Sequence, residues 1–94
     1  MIVTVAELKE HLRIQYDEED DYLSSLIAQA QAAAEDYCRV TFNEPAPQTV
    51  RLAVLLMASF YYENRDAPEK QVYIAMRMAF ENLLYPHRDT AQMF

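Results

Sequence analysis

Between Arg51 and Arg65 the chain reads RLAVLLMASFYYENR, and Leu52 to Ala58 is apolar without a break. Only Arg51, Glu63 and Arg65 carry charge in this stretch. A helix lying on a protein surface returns a polar residue every third or fourth position, because one side faces water. This segment returns none for two turns. As a helix it therefore requires cover from the rest of the chain or from other subunits. It is too short to cross a bilayer, which takes about 20 apolar residues, and polar residues close it at both ends. A chain organised round such a helix is a packing and assembly object first.

The remaining pattern predicts an all-α fold, a small bundle of about four helices with a largely buried third helix. The 94 residues fit one domain, expected over residues 1–88, with 89–94 as a flexible C-terminal tail. A compact chain of this size has a radius of gyration of about 12 Å. There is no glycine, where average usage predicts about six or seven. Phosphate loops, dinucleotide-binding turns and Asn-Gly or Asp-Gly hairpins all need glycine and are thereby removed. Helix ends also lack their usual left-handed cap residue.

Each helix announces itself locally. Thr4 and Glu7 have capping-box spacing, with Val3 and Leu8 at the positions of a hydrophobic staple. Val5, Leu8 and Leu12 then share a face, so the first helix is expected from Val5 to about Arg13. Asp17 reads as the N-cap of a second helix from Glu18 to about Cys38. The acids up to Asp21 fall in its first turn, where the macrodipole favours them. Its middle is rich in alanine and permits close approach of a neighbour. Pro45 and Pro47 exclude regular helix before Gln48, and Val40-Thr41-Phe42 is too short and solitary to build a sheet. The third helix is expected from Gln48 to Asn64 and is broken by Asp66-Ala67-Pro68. The fourth is expected from Glu69 to Leu84, stopped by Pro86. It carries Tyr73, Met76, Phe80, Leu83 and Leu84 on one face, with Ile74 and Met78 off that stripe.

Candidate chemistry is sparse. Consecutive acids from Asp17 to Asp21 splay round a helix axis and lack the glycine and alternation of a calcium loop, so a helix start outweighs a cation site. His11 and His87 have no ligand or dyad partner in their own elements. Cys38 is the lone cysteine, which fits a reducing compartment. Its register is that of a core filler, and a thiol activated by Arg39 is the lesser alternative. No signal peptide is expected at the N-terminus, where Glu7, Lys9 and Glu10 interrupt any apolar run. No catalytic, cofactor-binding or metal-binding residue is assigned, and no enzyme activity is expected. The net charge is −7, and the bases are scattered from Lys9 to Arg88 rather than gathered in a stripe, which argues against tight nucleic-acid binding. Tyrosine and arginine are enriched where proteins meet. Tyr61, Tyr62 and Arg65 at one end, and Tyr85 and Arg88 at the other, are the candidate protein-interface residues. For the first group, an ordinary core edge is an equal reading.

Four blocks then fall into a familiar order. They are Thr4-Val5-Ala6-Glu7-Leu8-Lys9-Glu10-His11-Leu12-Arg13, the acidic run Asp17 to Asp21, Leu26-Ile27-Ala28-Gln29-Ala30, and Ala53 to Ala58 running into Tyr62-Glu63-Asn64-Arg65. Together they resemble the tailed-phage head–tail connector family, also described as DNA-packaging or head-completion proteins, over about residues 3 to 88. Leu83-Leu84-Tyr85-Pro86-His87-Arg88 matches the family's Leu-Leu-x-Pro-Tyr-Arg ending. Cys38-Arg39 stands where the family often has a Thr-Gly-Arg turn.

The resemblance implies a structural adaptor of a phage or prophage. Copies would form a homo-oligomeric ring on the portal protein and meet a stopper or tail-completion protein. DNA would pass through without sequence-specific binding, and an acidic subunit suits that passage. The implied location is the virion head–tail junction, with assembly in the bacterial host cytoplasm and no membrane partner. A closed ring requires head-to-tail contacts between unlike faces. The alternative is a generic helical protein-binding module, monomeric or dimeric, with no portal affinity.

Overall fold

The computed structural model describes residues 1–65 and 69–88. Four helices follow one another: α1 Val5–Leu12, α2 Asp20–Cys38, α3 Gln48–Glu63 and α4 Lys70–Leu84. A 3₁₀ turn, Tyr85–His87, continues α4. The described residues contain no strand, so the fold is all-α. The expected break at Asp66-Ala67-Pro68 and the expected tail 89–94 lie outside the described residues.

The first helix starts as its sequence dictates. The Thr4 hydroxyl accepts the Glu7 N–H at 3.1 Å, and the Glu7 carboxylate accepts the Thr4 N–H at 3.1 Å. Val3 and Leu8, the staple pair, are both buried. The helix ends at Arg13, whose left-handed backbone (φ 60°) lets its N–H reach the carbonyls of Lys9 and Glu10. Arg39 closes α2 in the same conformation, φ 59°, with its N–H on Glu35. A chain without glycine thus still makes two left-handed caps, using arginine.

The start of α2 corrects the sequence expectation. The helix begins at Asp20 with Glu19 as its cap residue, and no side chain caps it. Asp17 lies in the preceding bend, ion-paired with Lys9, which also holds Asp20 at 3.0 Å. The Lys9 ammonium draws two of the acids toward α1, so the run is divided between loop and helix. Further along α2, Gln31 accepts the Ile2 N–H at 3.0 Å, and Glu35 accepts the Phe42 N–H at 2.9 Å. The second helix therefore anchors both the N-terminal segment and the 39–47 connector.

One cluster of buried residues draws on every helix, from Ile2 and Val3 through Leu8, Leu23, Ile27, Val54 and Met57 to Phe80 and Leu84. Ala30 and Ala34 of α2 and Ala53 and Ala58 of α3 are completely buried. These small residues let the two longest helices approach closely, and α2–α3 is the most extensive helix pair. Phe80 and Leu84 seat α4, Tyr73 reaches the Phe60 ring at 6.2 Å between centroids, and the Cys38 thiol faces the Leu84 carbonyl at 3.6 Å. His87 Nε2 lies 2.6 Å from the Thr49 hydroxyl, so the 3₁₀ turn is tied to the first turn of α3.

The molecule measures 46 × 32 × 17 Å, and its radius of gyration is 13.4 Å. Helix axes pack about 8–10 Å apart, so the short dimension holds two helix layers. The chain is consequently flatter than the compact expectation. A two-layer body cannot wrap any helix on all sides. Val50, Ala53, Val54, Met57 and Ala58 of α3 are sealed, whereas Leu52 is 41% exposed and Leu55 and Leu56 are half-buried. The chain covers its own third helix on all sides but one.

Candidate protein-interaction surfaces

Two ends of the molecule gather the sequence-predicted residues. At the first, the C-terminal turn of α3 meets the loop before α2. Glu19 Oε1 accepts the Tyr62 hydroxyl at 2.7 Å and the Tyr16 hydroxyl at 3.0 Å, while Oε2 takes the Arg65 guanidinium at 3.0 Å. Arg65 also lies 4.5 Å from the Tyr62 ring centroid and 5.9 Å from that of Tyr22. Donation from Tyr62, then from Tyr16, and the charge of Arg65 hold the Glu19 carboxyl below its ordinary value. Tyr62 is pushed well up, because its bonds to Tyr16 and Glu19 favour the neutral phenol. Sequence reasoning placed Glu19 only among first-turn acids and did not single out Tyr16. Nothing local marks either residue, since the partner Tyr62 lies 43 positions beyond Glu19.

Tyr61 points inward instead. It is half-buried, and burial raises its phenol, with Tyr73 adding to the shift and Arg77 opposing it. The structure thus brings Tyr62 and Arg65 into one cluster and leaves Tyr61 at the core edge.

At the second end, Tyr85 is 62% exposed. Arg88 lies over the Tyr37 ring at 4.6 Å, and its buried Nε makes no hydrogen bond among the described residues. Cys38 beneath is completely buried. Burial raises its thiol despite the nearby charge of Arg88, and activation by Arg39 does not occur.

Between the two ends, α3 opens to solvent along a shallow trough. Two hollows of about 210 and 300 Å³ adjoin at His11. Leu55 and Leu56 line them from α3, Glu7 and Glu10 from α1, and Met76 from α4. No three potential metal ligands cluster among the described residues, and none of their helices is long and apolar enough to cross a membrane. The trough is of mixed character: Leu55, Leu56, Phe60 and Met76 supply its apolar part, and Glu7, Glu10 and Glu63, with His11, supply polar, mainly acidic walls.

Residues 2–90 match the family described as phage gp6-like head-tail connector protein. The chain belongs to that family. The family is a structural one rather than a family of enzymes. The head completion protein gp6 of Enterobacteria phage HK97 is 30% identical over 95 residues, covering 94% of this chain and 83% of that protein. No solved structure matches. The resemblance carried by the four sequence blocks is thus upheld across nearly the whole chain. The matched residues include the capped α1 and the apolar α3, whose uncovered side forms the floor of the trough.

Proposed function

We propose that this chain is a non-enzymatic adaptor that assembles as a ring on the portal vertex of a phage head and connects it to the tail. Family membership over residues 2–90 carries the reading. The uncovered side of α3 and the exposed apolar residues of α4 support it, since they supply hydrocarbon surface that a self-sufficient monomer does not need. In this reading the portal protein lies on one side of the ring, and a stopper or tail-completion protein lies on the other. DNA crosses the lumen without base-specific contact, past subunits of net charge −7. Residues 1–88 act as one unit, at the virion head–tail junction, after assembly in the host cytoplasm.

The Tyr62–Arg65 cluster, with Tyr61 behind it, and the Tyr85–Arg88 end are proposed as surfaces presented to the other connector components. In the Tyr62–Arg65 cluster, the bonds to Glu19 fix ring and guanidinium orientation before contact, which lowers the ordering cost of binding. The test is complementation. Heads made without this protein are mixed with it and with tails, and infectious particles are counted. The wild-type chain is expected to restore tail joining, and Arg88→Glu to fail while keeping the wild-type helical circular dichroism. Full restoration by Arg88→Glu removes that residue from the surface. Failure of the wild-type chain to bind heads at all overturns the reading.

A further inference from the structure

The outer side of α4 carries a feature that the core does not use. Ile74, Met78 and Tyr85 are 45%, 59% and 62% exposed. Steps of four and seven residues bring Ile74, Met78 and Tyr85, the first residue of the 3₁₀ turn, to one side of the helix, about 100–140° round from the buried Leu84 and Phe80. They form an unpartnered apolar ridge, with exposed Lys70 one turn before Ile74. The trough over α3 lies on a different side of the molecule. Its α4 wall is Met76, a position on the core-facing half of the same helix.

We propose that the α4 ridge of one copy seats in the α3 trough of the next, and that this contact is the repeating seam of the ring. The inference rests on the ring reading above and assigns it a specific interface. The occupant is a second copy because the chain itself carries both halves. A protruding apolar row stands on one side, and on another a hollow whose apolar part is Leu55, Leu56, Phe60 and Met76, bordered by Glu7, Glu10 and Glu63. The charges agree with this pairing. The trough's α1 wall holds Glu10, exposed and without an ion pair among the described residues, together with Glu7, which pairs with Arg51. The ridge is flanked by Lys70 and by Arg77, the latter neutralised by Glu81 at 2.9 Å. A cation beside the ridge therefore meets an acidic wall beside the hollow. Ridge and trough are unlike surfaces, so the contact is head-to-tail. It propagates from copy to copy and closes only as a ring.

Cysteine cross-linking on assembled material tests the seam. Leu52 lies one helical turn before Leu56 on the open side of α3, and its exposure makes it a suitable trough position. Variants L52C, M78C and the double variant are bound to heads lacking this protein and then oxidised. The buried native Cys38 is the silent background. The double variant is expected to give a disulfide ladder extending beyond dimers, a mixture of the two single variants to give dimers, and each single variant alone to give monomers. Ile74→Glu is expected to cut head-bound copies at least tenfold with an unchanged melting midpoint, because position 74 is outside the core. Dimers from M78C alone would mean that ridge meets ridge, and would overturn the seam. Head-bound oligomers without the ladder would also overturn it, while leaving the ring reading intact. Head-bound protein lost in Ile74→Glu, with the purified oligomer unaffected, would assign the ridge to the portal instead. Absence of wild-type protein from heads would remove the ring reading, and the seam with it.

Discussion

Replacing Arg39 by glycine should stabilise the protein. An L-residue in the left-handed region costs about 1–2 kcal/mol through its Cβ contact with the following carbonyl, and Arg39 sits there at φ 59° and ψ 33°. Glycine escapes that cost but gives up about 0.5–1 kcal/mol of extra chain entropy on folding. The difference leaves a net gain of about 0.5–1 kcal/mol. The side chain offers little to set against it, because Arg39 is exposed and forms no ion pair among the described residues. For a domain of this size, about 4–8 °C of melting temperature corresponds to 1 kcal/mol, so Arg39→Gly should melt about 2–8 °C higher. Thermal melts followed by circular dichroism at one fixed protein concentration measure the shift. Fixed concentration matters because self-association raises apparent stability. Arg39→Ala is the control, since it removes the charge and keeps the Cβ, and it should show no comparable gain. A glycine variant melting no higher than the alanine variant would refute the assignment of strain to this cap.

Acid should weaken the Tyr16–Glu19–Tyr62–Arg65 cluster. The Glu19 carboxyl is depressed by Tyr62, Tyr16 and Arg65, so its contribution is complete above its ordinary value of 4.5 and is lost as pH falls through the lower folded value. A plot of melting temperature against pH should therefore fall less steeply below 4.5 in Glu19→Gln than in the parent. Lys9 has the opposite sign. Asp17 and then Asp20 raise it, so its contribution is complete below 10.5 and is lost as pH rises through the higher folded value. Lys9→Met should flatten the alkaline side of the same plot. Phe80, completely buried on α4, should cost about 3–5 kcal/mol on truncation to alanine. That is a large share of the total for a domain of about 5–15 kcal/mol, and urea titration should show a sharply lower midpoint.

The parts of the fold readable from sequence are those set by short-range chemistry. The Thr4–Glu7 box, the Pro45 and Pro47 stops and the Phe80–Leu84 face all depend on residues within two turns of each other. Each appears where the pattern placed it. Ile74 and Met78 likewise fall off the α4 stripe in the sequence, and both are exposed. The start of α2 was not readable. Capping propensity favoured Asp17, but Lys9, eight positions earlier, takes that carboxylate, and a tertiary charge outweighs a local preference. The arginine caps escaped for a related reason, since the absence of glycine seemed to remove left-handed ends. The chain keeps those ends because the orphan carbonyls of α1 and α2 still need donors. Of the candidate surfaces, residue type pointed to Tyr62, Arg65, Tyr85 and Arg88. Glu19, the hub of the first cluster, is visible only once α2 and α3 are side by side.

A body two helices deep has no inner sanctum. In a thicker protein, a residue that stabilises the monomer and a residue that greets a neighbour are separated by an intervening layer. Here Leu56 and Met57 are consecutive on one rod, the first half-buried at the uncovered side and the second sealed. Damage to one side tilts the rod and spoils the other. Heat-sensitive variants of such a chain should therefore surface as failures of particle maturation at temperatures where the lone subunit remains intact.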